Sequence, residues 1–252
     1  MTIHDILNCL EKAYPKELAL PWDNVGLMCG DLETEVKKIY ICLDISTNNI
    51  AFAKANGANL MISHHPMIFA PLRTVNYEDH AGRNLTDAIK ADIAVISMHT
   101  NLDICDGGIN DTLAKILKLD EICKAEDNLG RCGKVHTPHT ATEYAEFVKK
   151  SLNIENLCLF DAHRPVYRLI VCGGSGDDLV SKALSLNADT ILCGELKHHE
   201  FIKAADVGIN VICVSHYASE FCAVHIMSEC IAKDFPDIPL VKEEFVPPFV
   251  IC

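Results

Sequence analysis

Short apolar runs alternate with segments of helical spacing along most of this chain. Ile3, Ile6, Leu7 and Leu10 recur at the period of one helix face and predict a helix over residues 3–13. Residues 37–44 read as a strand, 47–56 as a helix and 59–63 as the next strand. A second crossover helix, roughly 81–91, leads to the apolar run 93–98, which stops at His99. Gly107-Gly108 then marks a loop and 109–117 a helix. Strands that alternate with helices predict an α/β fold with parallel or mixed sheets and right-handed crossovers.

The second half repeats the plan. Residues 39–65 can be laid without gaps on 169–195, so that Cys42 meets Cys172 and Ala58 meets Ala188. Under this overlay His64-His65 falls on Gly194-Glu195, and the strand before His99 corresponds to the strand before His216. Two similar α/β units follow, with strand ends aimed at a shared cleft. The first spans 1–122, the second 128–220, and residues 221–252 pack back on the first. The least patterned stretch, 119–135, reads as the connection, and a last helix covers about 218–234.

Four predicted strands end in side chains that can ligate a metal. Leu60-Met61-Ile62-Ser63 runs into His64-His65-Pro66, where the proline ends the strand and lets both imidazoles project from its tip. His99 and Asp103 follow the second strand; Glu195, His198 and His199 follow the third; His216 and Glu220 follow the fourth. Taken alone, the His-His pair is better read as one core and one surface histidine, and His216 with Glu220 as a helix-start charge pair. Their convergence at strand ends points to metal chemistry, for which neutral imidazole is a preferred ligand.

Composition narrows the class. In 252 residues with 49% hydrophobic content, a net charge of −13 and no basic stripe argue against nucleic acid or an anionic membrane as partner. No signal peptide or membrane-length apolar run is present in the sequence, and a cytoplasmic location is expected. The 13 cysteines are odd in number and contain no Cys-x-x-Cys; Cys42, Cys172, Cys193 and Cys213 lie inside apolar strands as small hydrophobes.

Other motifs carry less. Gly173-Gly174-Ser175-Gly176 reads as a tight turn between strand and helix; Asp177-Asp178 beside it disfavours a phosphate. Asp103 falls in a predicted loop, and Trp22 anchors a turn without evident function. There is no Gly-x-Ser-x-Gly elbow, so metal-assisted chemistry leads.

Taken in order, Trp22-Asp-Asn-x-Gly-Leu27, Leu43-Asp44, Ser63-His-His-Pro66, His99-Thr-Asn-Leu-Asp103, Gly107-Gly108-x-Asn110, Gly173-Gly-Ser-Gly176 and His216-x-x-Ser-Glu220 resemble the NIF-three-like dinuclear metal-centre family along nearly the whole chain. Members of that family often carry the name type 2 GTP cyclohydrolase I. The resemblance implies two α/β units with mixed sheets, a two-metal site in the cleft between them, and a homohexamer. It implies His64, His65, Asp103, His216 and Glu220 as ligands, with Glu220 bridging, and His99 and His199 as candidate proton carriers. The metals would be two divalent ions, zinc, iron, manganese or cobalt. Ser215 departs from the family's usual glycine before the histidine, and the chain has no room for the domain that longer relatives insert midway.

By that resemblance the expected activity is a hydrolase opening a purine ring of a nucleotide such as GTP, through a hydroxide bridging the metals. A triphosphate clamp is not evident; Arg73, Arg83 and Arg131 are the arginines to inspect. The alternative is a metal-binding, metal-delivery or adaptor oligomer that catalyses nothing, for which the same ligand set would serve.

Overall fold

The computed structural model describes residues 1–249 and divides the chain into two units. The first comprises 1–105 and 223–245. It contains α1 (Ile3–Ala13), β1 (Gly26–Cys29), β2 (Ile39–Cys42), α2 (Thr47–Ala55), β3 (Leu60–Ser63), α3 (His80–Lys90), β4 (Ala94–Ser97) and α4 (Thr100–Ile104). The second contains α5 (Ile109–Ile116), β5 (Leu119–Lys124), β6 (Arg131–His139), α6 (Ala141–Leu152), β7 (Cys158–Phe160), β8 (Val166–Ser175), α7 (Leu179–Ser185), β9 (Thr190–Glu195), α8 (His198–Val207), β10 (Asn210–Cys213) and α9 (His216–Glu220). From Ala223 onward α10 (Cys222–Asp234) and β11 (Leu240–Lys242) return to the first unit.

Both sheets are mixed. The first has the order β1-β4-β3-β2-β11, parallel except for β1 against β4; the second has the order β5-β6-β8-β9-β10-β7, with β8, β9 and β10 parallel. In the first sheet β2, β3 and β4 are buried throughout, and in the second so are β10 and all of β9 but its last residue, as parallel strands covered on both faces must be. The predicted repeat holds at the level of register. Ile39 lies opposite Leu60 on β2 and β3, and Leu169 lies opposite Thr190 on β8 and β9, at the same separation along the chain.

Local sequence accounts for the elements. Helix α1 buries Ile3, Ile6, Leu7 and Leu10, and its start is fixed by a capping box between Thr2 and Asp5. Between β3 and β4 the hydroxyls of Ser63 and Ser97 bond to each other at 2.8 Å inside the core, so neither is left unsatisfied.

Three expectations need correction. The stretch 119–135 is no connection: it forms the hairpin β5–β6 at an edge of the second sheet, and the division between the units falls at 105/106. Beyond Leu119 every residue of β5 is exposed, so the apolar signature of a strand is missing. Asp103 lies on the short helix α4 and not in a loop. The helix expected over 218–234 is two, α9 and α10, separated at Phe221. Of the tail 221–252 expected to pack on the first unit, 223–245 belong to that unit, 221–222 and 246–249 fall in the second, and 250–252 lie outside the described residues. Among the described residues no helix is long and apolar enough to cross a membrane.

Candidate metal centre

Each unit carries side chains that can donate to a metal. In the first, His64 and His65 follow directly on β3, while His99 caps α4 and Asp103 lies one turn further on. Their donor atoms cluster: those of His64, His65 and His99 lie within 4.8 Å of one another, and His64 Nε2 is 3.9 Å from Asp103 Oδ1. His64 is fully buried and Asp103 nearly so. Strand parity alone would send adjacent rings to opposite faces; Pro66 and the end of the ladder allow both to lie on one side, 4.8 Å apart between centroids.

Every imidazole in this cluster is oriented through Nδ1. His64 Nδ1 donates to the Met98 carbonyl at 2.9 Å, His65 Nδ1 to Asp44 Oδ1 at 2.7 Å, and His99 Nδ1 to Asp23 Oδ1 at 2.8 Å. A carbonyl only accepts, so the proton of His64 sits on Nδ1 and its Nε2 carries the lone pair. This is the second-shell arrangement of metal-binding histidines, in which an oxygen fixes the tautomer and raises ligand basicity. Burial alone would raise the Asp23 pKa. Hydrogen bonds from His99 and Thr100 outweigh burial and hold the carboxyl at about 2.

The second unit places His216 and Glu220 on α9, one turn apart, with His216 Nε2 3.0 Å from Glu220 Oε2. His216 Nδ1 donates to Glu195 Oε1 at 3.2 Å. With Nδ1 so committed, the contact between Nε2 and a carboxylate oxygen requires a cation between them or a second proton on the ring. Glu220 is buried, where an ionised carboxylate needs a compensating charge. The donor chemistry of both units therefore fits a divalent transition metal.

Glycine makes room for this pair. A Cβ on Gly174 would stand 2.3 Å from Glu220 Oε1 and 3.2 Å from the His216 ring, and one on Gly194 would meet Gly174 O, His216 Cα and Ser219 Oγ at 2.7 Å each. The run 173–176 is thus not the expected turn: Gly173 to Ser175 continue β8 through a register shift. Its amides are engaged, Gly173 N with Asn110 Oδ1 and Gly174 N with Ser219 Oγ, so it is not a phosphate cradle. Ser215 adopts φ 79°, ψ 147°, a conformation that favours glycine, and its hydroxyl accepts from Ala218 N to cap α9.

His198 and His199 begin α8, both exposed; His199 Nε2 is 3.8 Å from Glu200, and no donor group among the described residues includes it. Arg131 is buried, bonded to Asp111 and to the carbonyls of Asn128 and Gly130, so it is structural. Arg83 grips the Tyr77 carbonyl on the surface, and Arg73 is exposed. Sequence reasoning placed Glu195 among the strand-end candidates for metal ligation and assigned no role to Asp23 or Asp44; all three are instead acceptors that aim the rings. Asp44 and Asp23 stood inside the quoted motifs, and Glu195 at a strand end, but pairing each with its histidine required the fold.

The arrangement defines an α/β protein with strand-end donor groups that can hold metal ions. The chain belongs to the Duf34/NIF3 (NGG1p interacting factor 3) family, whose model matches residues 1–246. It is 33% identical over 237 residues to a Clostridium perfringens protein named GTP cyclohydrolase 1 type 2 homolog, covering 91% of this chain and 90% of that one. Among solved structures, reduced HcgD from Methanocaldococcus jannaschii superposes with a TM-score of 0.85 at 30% identity, covering 97% and 98% of the two chains. A Bacillus cereus protein related to NIF3 reaches 0.90 at 21% identity, covering 100% and 99%, and shows the shared fold.

Proposed function

We propose that the chain is a dinuclear metal-dependent hydrolase acting on the purine ring of a nucleotide, in line with the names of its relatives. His64, His65, Asp103, His216 and Glu220 would hold two divalent ions, with the Glu220 carboxylate shared by both. The observation that carries the reading is the common orientation of the rings: each has Nδ1 on an oxygen, which directs Nε2 toward a metal. Five ligands also exceed one tetrahedral site. When bound, two such ions act as Lewis acids and make water nucleophilic at neutral pH.

The chain's own residues supply orientation and proton handling. His99, with Nδ1 on the ionised Asp23, can take and return a proton at Nε2; His199 is free to do so only from the exposed start of α8. The assembly is proposed to be a homohexamer in the cytoplasm, with a small molecule and neither nucleic acid nor membrane as partner. A monomer mass by light scattering across a wide concentration range would rule the oligomer out.

The test of activity is turnover of a nucleotide panel by metal-loaded protein and by the His65→Ala and His216→Ala variants. Ring opening lost in both variants supports the hydrolase. Metal transfer to an acceptor without turnover of any nucleotide would replace it with a carrier.

A further inference from the structure

Trp22 itself offers no metal donor, yet the turn that carries it is built with care. Its indole and the Phe69 ring are both more than half exposed, at 57% and 56%, although each is a large apolar group. The two rings lie 5.7 Å apart between centroids, tilted by 56°. Each also stands 6.1 Å from the His99 ring, edge to face, so the three form a near-equilateral triangle. His99 in turn lies 5.1 Å from His64 and 5.6 Å from His65. The aromatic surface therefore adjoins the imidazole cluster of the same unit.

The turn that carries the indole is fixed from several sides. Leu20 N donates to Thr100 Oγ1 at 2.9 Å, Asp23 receives bonds from His99 and Thr100, and Asn24 Nδ2 donates to the Ile68 carbonyl at 2.6 Å. The last bond ties the Trp22 turn to the segment that carries Phe69. Two exposed aromatic rings held in place beside a set of metal donors form a preorganised surface, and a rigid aromatic face loses little entropy on binding.

We propose that Trp22 and Phe69 are the stacking platform for the planar heteroaromatic ring of the substrate. A separation of 5.7 Å leaves no space for a ring between them, so the ligand stacks on their open faces. Stacking is tolerant of base identity because every base offers a π-face. The platform thus selects for a flat ring and leaves discrimination among bases to other groups. It rests on the nucleotide reading above for the choice of ring, and it does not require metal.

Trp22 is the only tryptophan of the chain, which makes it its own reporter. Guanosine titrated into chelator-stripped protein should quench Trp22 emission saturably, whereas ribose 5-phosphate should not. By calorimetry Trp22→Phe should keep guanosine affinity within about threefold, and Trp22→Ala should weaken it roughly tenfold, as loss of one stacking partner implies. Phe69→Ala should weaken the quenching titration in the same direction with the reporter intact. Equal affinity in wild type and Trp22→Ala, absence of saturable quenching, or the emission of a buried indole before ligand is added would each overturn the platform. The two readings fail separately: quenching without turnover removes only the hydrolase, and turnover with KM unchanged in Trp22→Ala removes only the platform.

Discussion

The end of β3 and the end of β9 occupy the same place in their units and are built in opposite ways. Following β3, His64 and His65 fill the space with imidazole; at the equivalent place near the end of β9 stands Gly194, whose missing side chain lets the backbone of α9 approach. The next strand answers in kind. After β4 the helix α4 brings one donor, Asp103, whereas after β10 the helix α9 brings two, His216 and Glu220. One frame therefore serves two placements: a unit that carries its imidazoles on the middle strand, and a unit that clears the middle strand so that the following helix can carry them. The general point is that a repeated backbone does not require repeated chemistry, because a residue equivalent to a ligand can be the vacancy that admits another.

That contrast can be broken most forcefully at Gly194. Replacement by alanine forces a Cβ against backbone and the Ser219 hydroxyl, none of which can rotate away freely. The expected cost is about 3 kcal/mol of stability in the second unit, measured by chemical denaturation. A fully stable Gly194→Ala would show that the cleared strand end is dispensable.

The first unit is probed through Asp23. Its carboxyl is held at about 2 in the folded protein, below its unfolded value, so it contributes stability above pH 4 that is lost as pH falls through 2. Asp23→Asn should then destabilise the protein at pH 6 by on the order of 2 kcal/mol, with the difference from wild type shrinking by pH 3. A difference that stays constant over this range would mean that the charge on Asp23 is not what holds His99.

The smallest effect is expected at Ser215. Ser215→Ala keeps the unfavourable backbone conformation and loses the cap, costing about 1 kcal/mol. Ser215→Gly relieves the conformation and gives up only a few tenths at the cap, so thermal denaturation should find it neutral or slightly stabilising. The reverse order would show that the serine is there for another reason.

What was legible in the sequence follows from what is local. The strands β2, β3 and β4 announce themselves because four consecutive buried residues leave an apolar run, and the overlay of 39–65 on 169–195 finds the register that the ladders adopt. The edge strand β5 left no such run because only Leu119 faces the core. The histidines and carboxylates at the strand ends were visible by type and order. Their orienting partners were not, because Asp44 meets His65 and Asp23 meets His99 only after folding brings together residues 21 and 76 positions apart. The run at 173–176 misled because glycine marks turns and close approaches alike.

The central proposal is that His64, His65, Asp103, His216 and Glu220 would hold a pair of ions that share the Glu220 carboxylate. It is tested most directly by counting metal in Glu220→Gln beside His65→Ala, after reconstitution with excess divalent ion and with circular dichroism to confirm folding. Glutamine keeps the shape and removes the charge, so Glu220→Gln should lose both equivalents, while His65→Ala should lose mainly one. A folded Glu220→Gln that retains two tightly bound metals would contradict the account and require the site to be redrawn.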